Sequence, residues 1–362
     1  MTDSSSDTLF GDSWGQIFML LAIVSGLFSA QFYIERGAPR FTLKNLRWDR
    51  ALELFGSCRP QAPGRWAVGA SGCSTLSAAL SMAKDGDEIA LAPGVYREGL
   101  EISRSVALIG SGAPGSSLIE YSGRRTLSIS GGHVQLRNVA IANTGAGGDW
   151  AIAISDARLT MANVVVRSDG GGVRAVDSDL DVSETSLEGR TAFSIEGRSQ
   201  VRFGNGRISG SEAGIRISGE NTQLTLSKAE VTGSRAAGLD ASRFAVVRIE
   251  DSWLTENSVA ATIHSGADVR IDRSTLAKNK NCALLINAGS ATLNRTLVSE
   301  SRCGAGFSGS GTLQVDASRF TRLSGPALEI PGGLENKVTF RGSGNVGLGA
   351  ARTETANAAE VP

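Results

Sequence analysis

From Ala151 onward, a small residue leading into an aliphatic one returns at nearly constant spacing. It appears as Ala151 to Ile154, Val173 to Val176, Ala192 to Ile195, Gly214 to Ile217, Gly238 to Ala241, Ala260 to Ile263, Ala283 to Ile286, Gly304 to Phe307 and Ala327 to Ile330. Counted between the last residues of each stretch, the intervals are 22, 19, 22, 24, 22, 23, 21 and 23. A second pattern runs between these anchors, with apolar residues alternating over three positions and followed by a hydroxyl or small residue and a further apolar one. Examples are Leu180-Asp181-Val182 with Thr185 and Leu187, Val247-Arg248-Ile249 with Ser252 and Leu254, and Val269-Arg270-Ile271 with Ser274 and Leu276. Alternation with period two marks a strand with one buried face. The Gly, Asn and Ser clusters after each run supply turns.

A unit of about twenty-two residues is too small to close a core of its own, so successive units have to stack. The strands are too short for a sandwich, and the links between them are too short for helical crossovers. Both limits point to an all-β chain wound as a coil, each strand pairing in parallel with its equivalents one coil above and below. Composition agrees with this. Glycine is plentiful (45 of 362 residues), and aromatics are few (12 Phe, 5 Trp, 3 Tyr), so Val, Ile, Leu and Ala must fill the core. Lys plus Arg and Asp plus Glu balance at 36 each, which argues against a nucleic-acid partner. Two histidines and four cysteines leave little for a zinc or iron centre, and no cofactor is expected beyond a possible Ca²⁺.

Residues 75 to 110 add a resemblance. Thr75-Leu76-Ser77-Ala78-Ala79-Leu80 is followed by Ala83-Lys84-Asp85-Gly86-Asp87-Glu88-Ile89, Ala92-Pro93-Gly94-Val95-Tyr96 and Leu108-Ile109-Gly110. This resembles the entry segment of the pectin-lyase-like right-handed parallel β-helix superfamily, whose likeness extends over residues 73 to about 348. The resemblance implies a right-handed parallel β-helix with a short N-terminal capping helix, its apolar face (Leu76, Ala79, Leu80, Ala83) laid over the open end of the stack. It implies little about chemistry, because the superfamily holds lyases, hydrolases, esterases, epimerases and non-catalytic members. The Asn-Thr-Asp, Gly-His-Gly, Asp-Pro-His-Asp and Arg-x-Pro-x-x-Arg strings carried by its enzymes do not occur here. His133 reads as a turn residue and His264 as a coil-corner residue, so no catalytic residue is assigned.

The expected register places one candidate surface. Outward columns in the coils from 247 to 316 read Glu250, Asp272, Asn294, Asp316 and, beside them, Arg248, Arg270, Thr292, Gln314. A corner column reads Asp251, Arg273, Arg295, and Trp253 should point outward. One reading is a set of ordinary cross-strand ion pairs, Glu250 with Arg270 and Asp251 with Arg273. The other is a carbohydrate platform in which Trp253 stacks on a sugar ring and Arg248, Arg270, Arg273 and Arg295 hold acidic groups. In that reading Glu250 and Asp272 could bind Ca²⁺.

The remaining segments set domain order and location. Residues 1–13 are polar and expected to be disordered. Residues 14–34, bracketed by Trp14 and Tyr33, are apolar over a length suited to a single transmembrane helix. A linker over 35–72, the β-helix domain over 73–350 and a disordered tail over 351–362 complete the expected order. Arg36, Arg40, Lys44, Arg47 and Arg50 follow the apolar segment, so charge favours a cytoplasmic β-helix. The cysteines pull the other way. Cys282 and Cys303 occupy equivalent places on neighbouring coils, as a stacked reduced pair or as a disulfide, and Cys58 and Cys73 could close a second loop. Local pairing suits an oxidising, extracytoplasmic compartment. The functional expectation is a membrane-anchored module of a bacterial envelope that binds polysaccharide or serves as a scaffold for an envelope protein. The alternative is a lyase or epimerase acting on an acidic polysaccharide through a diverged site.

Overall fold

The computed structural model describes residues 58–348 except 70, 71, 114 and 146–148. Among these residues the chain is a right-handed parallel β-helix in which each coil contributes a strand to a first sheet, then one to a middle ladder, then one to a third ladder. The first sheet holds 13 described strands, from Arg65–Val68 to Val338–Ser343. The middle and third ladders merge into one sheet because Ser186–Glu196 and Arg207–Ser218 run unbroken through the bend between them. Among the described residues no helix is long and apolar enough to cross a membrane. The apolar segment 14–34 and the tail 351–362 lie outside them, as do residues 1–13 and most of the linker.

The β-helix begins earlier than its helical entry segment suggests. Arg65–Val68, inside the expected linker, pairs in parallel with Asp87–Leu91, and a disulfide from Cys58 to Cys73 brackets it. Trp66 and Val68 bury their side chains, which gives this short run a reason to join the sheet. The helix Leu76–Met82 follows, burying Leu76, Ala79 and Leu80 and lying against that terminal strand. Thr75 caps it through its hydroxyl, and the Glu98 carboxylate accepts the free Leu76 and Ser77 amides at 2.8 Å each.

Equivalent residues stack in files. Ile154, Ala175, Ile195, Ile217, Ala241, Ile263, Ile286 and Phe307 succeed one another in register along the third ladder, all buried. The second coil of this file corrects the sequence reading: its member is Ala175, and Val176 points outward beside Ser155. The cause is parity, since Gly171, Val173 and Ala175 share the inner face of their strand. On the first sheet the matching file is Leu180, Val201, Leu224, Val247, Val269, Ala291 and Leu313. Phe193 and Phe203 meet across the interior with ring centroids 6.5 Å apart.

Two of the bends are built from one device. At the first, Glu184, Asn205, Lys228, Asp251, Arg273, Arg295 and Ala317 all take left-handed backbone angles, with φ from 47° to 51°. The next residue is a buried hydroxyl in most coils. Its hydroxyl donates to the carbonyl two residues back, as Ser252 does to Glu250 at 2.7 Å. It also accepts an amide from the coil before: Ala229 donates to Ser252 (3.0 Å), Ser252 to Ser274 (3.1 Å) and Thr296 to Ser318 (3.1 Å). At the second bend the left-handed residues are Glu256, Lys278, Glu300 and Arg322. There buried Asn257 and Asn279 play the same part, accepting the amides of Ser234 and Asn257 at 3.1 Å each. Bending the chain orphans backbone groups inside the protein, and these ladders satisfy them.

Candidate functional site

The strand Trp253–Thr255 opens the middle ladder two residues past the left-handed Asp251. Leu254 turns inward and is fully buried, so Trp253 is forced outward and 49% of it is exposed. Its lateral neighbours are Glu230 on the coil before and Thr275 on the coil after. Together with Asn205, Gly206, Lys228, Glu230 and Thr255 it lines an open groove of about 460 Å³. Gly206 has no room for a side chain, because a Cβ there would stand 2.3 Å from the Thr185 carbonyl oxygen and 2.8 Å from the buried Phe203 ring. The groove thus presents one indole face, one ammonium, one carboxylate, an amide and a hydroxyl. An indole can pack on the apolar face of a sugar ring while polar neighbours bond its hydroxyls, and an ammonium can hold a sugar carboxylate.

The other residues picked out from the sequence divide into two groups. Glu250, Asp251, Asp272, Arg273 and Arg295 form one ion-pair network at the first bend. Arg273 pairs with Asp251 at 2.8 Å, with Glu250 at 3.6 Å and with Asp272, and Arg295 reaches Asp272 at 3.2 Å. The hydrogen bonds from Arg273 hold the Asp251 carboxyl below its usual range, with Lys228 and Arg295 adding to the effect, and Asp251 in turn raises Arg273. Two arginines proposed as ligand contacts are therefore already engaged by carboxylates. Arg248 and Arg270 lie in register on the flat face of the first sheet, away from the bend. Arg270 pairs with Asp268 at 3.1 Å and not with Glu250. Among the described residues Arg248 has no carboxylate within 4 Å.

Lys228, Glu230 and Asn205 lie outside the columns expected from residue 247 onward. The signal was present one coil earlier: Ser227 stands in register with Glu250, so Lys228 precedes Asp251 in the same corner column. The histidines stay apart from the groove. His133 opens a strand and shares a hydrogen bond with Thr160 at 2.9 Å, whereas His264 ends one and meets the Asp240 carboxylate at 2.8 Å. Both cysteine pairs, Cys58–Cys73 and Cys282–Cys303, are closed as disulfides.

The family described as a right handed beta helix region matches residues 127–298, just under half of the chain. No curated protein matches the chain in sequence. Among solved structures, the chain is similar to the A-modules of two mannuronan C-5 epimerases of Azotobacter vinelandii. With AlgE4 the TM-score is 0.54 at 10% identity, over 76% of this chain and 92% of that one. With AlgE6 it is 0.52 at 15% identity, over 75% and 93%. At such identities the likeness is one of fold, and it places the chain among right-handed parallel β-helices.

Proposed function

We propose that the β-helix is a polysaccharide-binding module of the bacterial envelope, held at a membrane by the apolar segment 14–34, with an acidic glycan lying in the Trp253 groove. The exposed indole carries the reading. A large aromatic side chain left half in water, beside an ammonium and several hydrogen-bonding groups, matches sugar recognition. Lys228 would hold a uronate carboxylate, and Arg248 would extend the cationic track across the first sheet. The two epimerase A-modules, named for mannuronan, lend the fold a precedent. Two locally closed disulfides support display outside the cytoplasm.

The test is a titration of the full chain with a panel of polyuronates, read by tryptophan fluorescence and calorimetry, with release of unsaturated uronate followed in parallel. Trp253→Ala should weaken binding at least about tenfold, and Lys228→Gln should weaken uronates more than neutral glucans. Unchanged affinity in Trp253→Ala, or no binding to any member of the panel, would remove the proposal. Release of unsaturated product would replace binding by lyase action.

A further inference from the structure

The second disulfide has surroundings that a plain covalent staple does not require. Cys282 opens the strand Cys282–Asn287 and Cys303 opens Cys303–Phe307 one coil later, paired in register with Cα atoms 4.2 Å apart. On the next coil, Glu329 stands in register with Gly306 and lays its Oε2 3.5 Å from the Cys282 sulfur and 3.3 Å from that of Cys303. Arg302 donates from Nη2 to Glu329 Oε2 at 2.7 Å, from Nη1 to Oε1 at 3.3 Å, and from Nη2 to the Cys282 sulfur at 3.2 Å. Gly306 leaves the space open, since a Cβ there would stand 3.0 Å from the Cys282 sulfur. In the disulfide neither sulfur has a proton, so a carboxylate oxygen faces two atoms that cannot donate to it.

We propose that Cys282, Cys303 and Glu329 form a redox-gated site for a soft divalent cation such as Zn²⁺, available when the disulfide is reduced. The three donor atoms already lie within 4.8 Å of one another. Tetrahedral bonds of ~2.3 Å to sulfur and ~2.1 Å to oxygen put sulfur and oxygen about 3.6 Å apart and the two sulfurs about 3.8 Å apart. The two sulfur–oxygen distances are close to that as they stand. Only the sulfurs have to separate, and parallel neighbours spaced by ~4.8 Å permit it without breaking the ladder. Two thiolates, one carboxylate and a divalent cation leave one net negative charge, which the Arg302 guanidinium cancels. Its bonds to the carboxylate and to one sulfur are those expected of an outer partner that orients metal ligands. Thiolate donors select a soft ion over Ca²⁺ or Mg²⁺, and three protein ligands leave a fourth position open.

The chemistry needs a reductant of the dithiol class. One of its thiolates attacks one sulfur of the pair and expels the other cysteine as a thiolate. Its second group, as a thiolate, then attacks the reductant's own sulfur in the mixed disulfide, freeing the remaining cysteine and closing the reductant's disulfide, and the dithiol's two protons pass to the cysteines or to solvent. Two electrons pass to the protein, and metal binding displaces to solvent whatever protons the two cysteines hold.

The test uses the full chain, reduced with a phosphine and freed of reductant, then alkylated with iodoacetamide with and without Zn²⁺. Mass spectrometry reports Cys282 and Cys303 separately from Cys58 and Cys73. Zn²⁺ should protect Cys282 and Cys303 in the reduced protein, and Co²⁺ should give a thiolate charge-transfer band at one ion per chain that the oxidised protein lacks. Glu329→Gln and Arg302→Ala should each weaken Zn²⁺ binding about 10- to 100-fold. Unchanged alkylation of Cys282 and Cys303 in the presence of Zn²⁺ would overturn the proposal. A Co²⁺ band that persists in Cys282→Ser/Cys303→Ser, shown by circular dichroism to be folded, would do the same.

Discussion

Two stacks of equivalent residues run the length of the same coil and behave differently. Inside, Ile217, Ala241, Ile263 and Ile286 succeed one another as apolar side chains, each fully buried. Outside, at the first bend, Lys228, Asp251, Arg273 and Arg295 succeed one another with charges of both signs and share a left-handed backbone. The inner stack tolerates little because every member touches its neighbours above and below at close packing. The outer stack keeps only its backbone geometry. Its side chains are free to differ from coil to coil, so a surface feature such as the Trp253 groove can be written there without disturbing the fold.

The contrast is sharpened by substitution. The largest loss is expected inside. Phe193→Ala removes a fully buried ring that meets Phe203 and should cost about 3–5 kcal/mol, measured by denaturant unfolding of the isolated variant against wild type. Next comes the buried amide of the second bend. Asn257 accepts from Ser234 and donates to Val231 and Thr255 at 3.0 Å each, so Asn257→Ala should cost about 1–3 kcal/mol by the same measurement. Glu196 gives a pH-dependent effect of intermediate kind. Its hydrogen bonds from Arg174, at 2.9 and 3.1 Å, hold its carboxyl below the ordinary 4.5. A lowered carboxyl stabilises fully above its ordinary value and loses that contribution as pH falls below it. The melting-temperature gap between wild type and Glu196→Gln should therefore narrow when melts at pH 7 are repeated at pH 3. Smallest of all, Trp253→Ala should leave stability within about 0.5 kcal/mol while weakening glycan binding as stated above. A Trp253→Ala loss as large as that of Phe193→Ala would place the indole in the core's energetics and break the distinction.

The inner architecture was readable because burial imposes a period. A run such as Val247-Arg248-Ile249 announces its inner and outer faces, and the buried Ser252 announces the bend. The one slip, Val176 in place of Ala175, arose where a valine sits on each side of the correct parity. The early start at Arg65–Val68 is not legible in the sequence because a strand of four residues carries no period of its own. At the site, the outward direction of Trp253 followed from Leu254, but its partners did not. Whether Arg273 answers Asp251, Asp272 or Glu250 depends on how long side chains fold across a bend, and alternation says nothing of that. Glu329 meeting both cysteines across three coils is a further case, because residues 26 and 47 apart meet only through the winding.

The linear order of residues settled that this chain winds into parallel coils and which side chains point inward, because hydrophobic burial acts on every coil alike and leaves a countable pattern. Tertiary structure alone decided which outer side chains converge. Those contacts come from the stacking of different coils and the turning of the chain at its bends, where each residue's neighbour belongs to another stretch of sequence.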